Sequence, residues 1–163
     1  MFVTVFADAS FCSQTRSAGY GIWVKTEALS FEHSGRFRSE VVNSSAAETL
    51  ALANGIWAAI EKAGARPGDI IVAQSDCRHA LSAFNRRFNG KLVLSPAERD
   101  ARDRIWALLD ERQLTLRVKH VKGHSDGEGA RSWVNGRCDQ LARSAMKRER
   151  AIRMKHPHSS MQQ

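Results

Sequence analysis

The chain is poor in the features that mark a membrane, a secretory route or a disulfide framework. Its three cysteines, Cys12, Cys77 and Cys138, are an odd set with no Cys-x-x-Cys spacing. They exclude a paired disulfide scaffold and suit free thiols in a reducing compartment. No apolar stretch approaches about 18 residues, the length a membrane-spanning helix needs. No basic start segment leads into a long apolar run, so no signal peptide is expected, and the expected location is cytoplasmic. No internal repeat is present. Acid is also scarce, with 17 Asp+Glu against 25 Lys+Arg and a net charge of +8. That excess suits a polyanion, nucleic acid foremost, although charge alone serves solubility equally well. With 163 residues, 42% of them apolar, the chain can bury one proper core and not two.

The order of elements follows from pattern. Residues 2–9 alternate and are rich in Phe and Val, which predicts a strand with Phe2, Thr4, Phe6 and Asp8 on one face. A loop over residues 10–18 leads to a second strand, Gly19 to Lys25, and a third, Leu29 to Arg38, together an antiparallel meander. Ser45-Ala46-Ala47-Glu48 has the form of a capping box. The helix it opens carries Leu50, Ala53, Trp57 and Ile60 on one face and stops between Gly64 and Gly68. Asp69 to Gln74 reads as a strand buried on both faces. A helix from Cys77 to about Phe88 ends at Asn89-Gly90, and Ser95-Pro96 opens the next. Leu114, Leu116 and Val118 alternate as a fifth strand. Residues 122–132 form a Gly-rich loop, and Trp133 to about Arg148 is the last helix.

The order β-β-β-α-β-α-α-β-α predicts an α/β fold. Its mixed five-stranded sheet has an antiparallel β1-β2-β3 meander followed by parallel strands, with helices on both faces. Residues 1–146 form the expected domain. Residues 147–163, with five Lys/Arg and one Glu among them, form an expected basic, flexible tail.

Four acids stand out. Asp8 and Asp76 each end an apolar run, where a half-buried charge costs several kcal/mol unless compensated. Glu48 lies on a first helical turn and Asp139 on a late helix. Singly, each has an ordinary explanation. Glu48 completes the box with Ser45, Asp76 caps a helix, Asp139 pairs with Arg143 four residues on, and Asp8 bonds a loop amide. Jointly, they can converge at one edge of the sheet, where α/β folds place their sites. Four converging acids repel and need cations. Hard oxygen ligands suit magnesium or manganese.

Phe6-Ala7-Asp8-Ala9-Ser10, Ala47-Glu48-Thr49-Leu50, Gln74-Ser75-Asp76, Val121-Lys122-Gly123-His124 and Arg137-Cys138-Asp139-Gln140-Leu141-Ala142 together resemble type 1 ribonuclease H, in that order and over roughly residues 2–146. The resemblance implies a ribonuclease H-like fold and an endonuclease that hydrolyses the RNA strand of RNA–DNA hybrids with two Mg2+ ions (Mn2+ as substitute), leaving 5′-phosphate and 3′-hydroxyl ends. It makes Asp8, Glu48, Asp76 and Asp139 the metal ligands, with Asp8 bridging the two ions. Asp139 would serve the ion on the side of the attacking water, and Glu48 and Asp76 the ion at the leaving group. His124 becomes a mobile proton carrier that helps product leave. Ser10, Ser44, Ser45 and Lys122 are candidate substrate contacts. The expected partner is the hybrid itself, with no membrane and a monomeric enzyme. His33, His79 and His120 are assigned to structure or solvent.

The chain also departs from the family pattern. Ala9 stands where many members have Gly, beside the path of the RNA backbone. Ser44-Ser45-Ala46-Ala47-Glu48 replaces an Asn-Asn-Arg-Met-Glu run, so serine takes the place of a side chain that reads the 2′-hydroxyl. The interval Phe84 to Ser95 holds Arg86, Arg87 and Lys91 but no Trp, in place of a longer basic protrusion. Two alternatives are a DNA- or junction-directed nuclease of the same fold and a non-catalytic hybrid-binding domain. The Val-Lys-Gly-His box and the presence of all four acids weigh against them.

Overall fold

Among the described residues nine elements follow one another as β1 (Phe2–Cys12), β2 (Ser17–Lys25), β3 (Ser30–Gly35), α1 (Ser44–Lys62), β4 (Ile70–Ser75), α2 (Arg78–Ala83), α3 (Pro96–Glu111), β5 (Thr115–His120) and α4 (Ala130–Lys155). They belong to a computed structural model that describes residues 1–122 and 129–156, with only the backbone given for 130 and 131. The sheet order is β3-β2-β1-β4-β5. β1 pairs antiparallel with β2, and β2 with β3, while β4 lies parallel to β1 and β5 parallel to β4. This is the predicted mixed sheet, with β1 at its centre. The β1–β4 ladder ends at Phe6↔Gln74. Two residues further along that register, Asp8 comes opposite Asp76.

Alternation along β1 sorts the two layers. Val3, Val5 and Ala7 join Ile22, Val24, Ile71 and Ala73 in a core closed by Leu52, Ile56 and Ala59 of α1 and by Phe84, Ile105 and Leu109. Phe6 points the other way, into a smaller cluster with Val134 and Cys138 of α4. Helices therefore cover both faces. Each fully buried Ile or Leu contributes roughly 1.5–3 kcal/mol.

Three glycines set the spacing of these layers. A Cβ on Gly55 of α1 would lie 2.7 Å from Val5 Cγ1. A Cβ on Gly21 of β2 would lie 2.6 Å from Leu141 Cβ and closer still to the Cys138 carbonyl oxygen, and one on Gly19 would meet the α4 backbone at Ala142 and Met146. The missing side chains let α4 rest on β2 nearly backbone to backbone.

Several element ends differ from the sequence pattern. β1 and β2 run into the predicted 10–18 loop, because pairing continues to Cys12↔Ser17 and leaves only a short turn. β3 ends at Gly35, not Arg38. α1 is capped by Asn43, whose Oδ1 accepts the Ala46 amide at 2.8 Å, so the Ser45–Glu48 capping box does not form and Glu48 has no capping duty. Asp76 caps nothing either, since α2 starts after Cys77. Trp57, placed by periodicity on the buried face of α1, is 46% exposed and carries Lys62 over its ring at 5.6 Å. The Ser95 capping box of α3 forms as predicted, closed by Glu98. α2 ends at Ala83. α4 begins before Trp133 and continues to Lys155, so the first nine residues assigned to a loose tail are helical.

Candidate active site

Each carboxylate reaches the sheet edge by a different route. Asp8 stands on β1 and its Oδ1 accepts the Ala9 amide at 2.8 Å. Asp76 follows the last residue of β4. Glu48 lies on α1 five residues past the Asn43 cap, just beyond the first turn on which the sequence pattern put it. Asp8, Glu48 and Asp76 each bring one carboxylate oxygen within 4.8 Å of the others, and all three are partly buried.

The electrostatics follow from that crowding. Burial, then the negative charges of Asp76 and Asp139, pushes Asp8 up to about 6, against the pull of the Ala9 amide. Burial, then Asp8 and Asp76, pushes Glu48 up to about 9. Without a cation, Glu48 therefore keeps its proton at neutral pH and donates it toward Asp8. Its Oε2 is buried with no hydrogen-bond partner. An orphaned buried oxygen beside two more carboxylates is a donor set for a hard divalent cation, so these residues fit Mg2+ or Mn2+.

Asp139 stands outside that group of three. Arg143, one turn on, donates to its Oδ1 from Nε at 2.8 Å. The ion pair read from the i, i+4 spacing is present, and Asp139 still bears on the cluster through its charge on Asp8. The neighbours of Asp139 hold it in place. Arg137 donates from Nε to both Glu32 oxygens at 3.0 Å and from Nη2 to Oε2 at 2.8 Å, locking α4 to β3. Cys138 is fully buried, its Sγ 3.9 Å from the Phe6 carbonyl oxygen. Burial, then the charges of Asp8 and Glu32, pushes its thiol up to about 12. In Arg137-Cys138-Asp139, one residue clamps, one packs and one faces the site.

The remaining candidates are scattered. Ser10 is half-buried on β1, two residues past Asp8 and on its side of the strand. Ser44 is exposed at the start of α1, and the Ser45 carbonyl accepts the Thr49 hydroxyl at 3.0 Å. Lys122 is exposed just past β5. His124 lies outside the described residues. All three cysteines are free thiols.

Sequence reasoning missed two neighbours of the site. His120, assigned to structure or solvent, places Nε2 at 3.1 Å from the Asp76 carbonyl oxygen. Gln74, two residues before Asp76, is 5% exposed with Oε1 unpartnered. No local pattern marks them; the β4–β5 ladder, whose last pair is Ser75↔His120, brings His120 to the site. His79 is structural as expected, bonded to buried Glu98 at 2.9 Å.

Comparison with known proteins agrees with this geometry. No curated protein matches the chain by sequence. Among solved structures, the N-terminal RNase H domain of Rv2228c from Mycobacterium tuberculosis, fused to maltose binding protein, superposes with a TM-score of 0.65 at 20% identity, covering 93% of this chain and 97% of that one. RNase H1 from the halophilic archaeon Halobacterium salinarum superposes at 0.63 with 18% identity, covering 91% and 99%. LC11-RNase H1, solved in complex with RNA/DNA hybrid, superposes at 0.64 with 16% identity, covering 90% and 97%. At these identities the superpositions establish the shared fold. The family profile of RNase H matches residues 2–147. With nearly the whole described domain inside that match, the chain belongs to the RNase H family of endoribonuclease hydrolases.

Proposed function

We propose that this protein hydrolyses the RNA strand of RNA–DNA hybrids with the help of two divalent ions, leaving 5′-phosphate and 3′-hydroxyl ends. The observation that carries the reading is the convergence of Asp8, Glu48 and Asp76, from three separate parts of the chain, with the buried Oε2 of Glu48 unpartnered. Bound divalent ions would supply water activation and charge neutralisation at the scissile phosphate. Asp8, central and most crowded by its neighbours, would be shared between both ions. Glu48 would release its proton on ion binding, because a cation beside it offsets the burial and the neighbouring charges that raise its pKa. Asp139 would complete the set once Arg143 gives up its hydrogen bond. In the net reaction the P–O3′ bond breaks, the water oxygen stays on the 5′-phosphate, and a proton ends on the 3′-oxygen. Ser44 and Ser45, at the start of α1, would be the groups that meet the RNA strand.

The test is a cleavage panel. The purified protein is incubated with labelled RNA–DNA hybrid, RNA duplex, DNA duplex and single strands, with magnesium, with manganese or with chelator. The expected result is metal-dependent cutting of the hybrid's RNA strand alone, with 3′ ends that a polymerase extends directly. Cutting of duplex or branched DNA would move the chain to the DNA-directed reading, and hybrid binding without cleavage to a non-catalytic one.

A further inference from the structure

α4 does not stop where the family match stops. The match ends at residue 147, while the helix continues to Lys155. Residues 143–155 hold six Lys/Arg, namely Arg143, Lys147, Arg148, Arg150, Arg153 and Lys155, against one acid, Glu149. That acid does not neutralise the outer surface. Its side chain is only 11% exposed and is used inward, accepting from Arg153 Nε at 2.9 Å and lying 3.6 Å from Arg36 Nη1 beside β3. The Glu149 bridge holds the extension against the body and leaves Lys147, Arg148 and Arg150 exposed.

Helical geometry links this charge to the active site. At about 100° per residue, Arg143 and Arg150 fall about 40° and 20° from Asp139 around the axis, and Lys147 about 80°. The stripe thus continues the edge of α4 that carries Asp139. Arg150 lies about 16 Å along the axis from Asp139, a span of about five base pairs. The stripe also borders the strand that carries Asp8. Thr15, then the Gln14 amide and, more weakly, the charge of Arg150 hold the Cys12 thiol at the end of β1 below its ordinary value.

Two plainer accounts are weaker. Favourable interaction with the helix dipole belongs to the last turn, whereas Lys147 and Arg150 lie upstream of it. The interval between α2 and α3 offers a poorer basic surface, because Arg86 is committed there. It donates twice to Asp110, at 2.6 and 2.7 Å, and lies 4.2 Å from the Trp106 ring centre.

We infer that the extension of α4, through Lys147 and Arg150, is a phosphate-contacting track that holds the nucleic-acid substrate on the far side of Asp139 from the cut. This inference rests on the proposed hybrid substrate and adds where that substrate is gripped. The contact is with the sugar–phosphate backbone, so it strengthens binding without reading sequence.

The test compares full-length wild type with the double variant Lys147→Gln/Arg150→Gln, leaving Glu149 and its bridge intact. Arg104→Gln, on the exposed side of α3, serves as the charge control. Binding of a fluorescein-labelled RNA–DNA hybrid is followed by anisotropy across a salt series with chelator present, and cleavage is measured separately in magnesium. Each lost phosphate contact lowers the slope of log K against log salt by about 0.9, so the double variant should lose about 2 while the control keeps the wild-type slope. KM should rise about tenfold with kcat near wild type, and circular dichroism should show unchanged helix content. A double variant that keeps the wild-type slope and KM overturns the track while leaving the proposed function standing. So does an equal loss in the control, which would mean bulk charge rather than a track. A wild type that neither binds nor cuts hybrid overturns both.

Discussion

Replacing Asp8 by Asn should abolish turnover in magnesium and, without divalent cations, make the protein more stable at alkaline pH. Asp8 is raised from 3.8 to about 6 by burial and by Asp76 and Asp139. At about 1.36 kcal/mol per pKa unit, its ionised form is disfavoured in the fold by about 3 kcal/mol. An amide of the same shape removes the repulsion and keeps an acceptor for the Ala9 N–H, but it must still be buried. The net gain should be about 1–2 kcal/mol, or about 2–8 °C in Tm for a chain of this size. The sign depends on pH. The unfolded carboxyl ionises near 3.8 and the folded one near 6, so between those values the native state keeps a proton that the unfolded state has lost. Wild-type stability therefore falls across that window and stays lowered above it, whereas the variant has no such loss. Melting curves by circular dichroism in chelator, near pH 4 and near pH 8, should show the gain only at the higher pH. Adding magnesium should then raise the wild-type Tm and leave the variant unchanged. A variant destabilised equally at both pH values, or one still stabilised by magnesium, would show that Asp8 is neither strained by its neighbours nor a ligand.

Glu48→Gln should remove a second, wider pH dependence, since the rise to about 9 makes metal-free stability decline from near pH 4.5 upward. Thermal melts across that range in chelator should be flatter for the variant, with cleavage lost in magnesium. Gly21→Ala should cost about 3 kcal/mol or more, because its Cβ would drive into the α4 backbone at Cys138 with no flexible side chain to yield. Urea unfolding measures that loss, and a near-neutral result would mean that α4 can move off β2. His124→Ala should lower kcat by about 10- to 100-fold while KM and Tm stay near wild type. No change in rate would leave His124 without a part in catalysis, and loss of metal binding by calorimetry would make it a ligand.

The element order and the sheet's mixed character were legible in the chain because they depend on local pattern. Alternation in β1, the apolar Ile70-Ile71-Val72-Ala73 run of β4 and the Ser95-Pro96 start of α3 each report their own burial or cap. Asp8 and Asp76 were legible for the same reason, since charges at the ends of apolar runs are locally anomalous, whereas Glu48 and Asp139 stood out only through the joint motif pattern. Element ends and helix faces were less so. Asn43 rather than Ser45 caps α1 because several short polar residues lie in a row there, and only backbone geometry chooses among them. Trp57 matches the buried spacing yet faces water, because α1 packs mainly through small residues such as Ala51, Gly55 and Ala59.

What the tertiary structure alone decided is how the acids sit together. Register along β1 and β4 brings Asp8 and Asp76 side by side, and the Asn43 cap presents Glu48 to them. Gly19 and Gly21 bring α4 close enough for Asp139 to act on Asp8, while Asp139 itself stays outside the tight cluster and pairs with Arg143. His120 at the Asp76 carbonyl and Glu149 between Arg36 and Arg153 belong to the same class of fact. Each joins residues that are remote in sequence, and no local periodicity carries information about such a meeting. The amino-acid sequence by itself determined which groups could do chemistry. The packing of two helices on a twisted sheet determined which of them are buried together closely enough to repel one another.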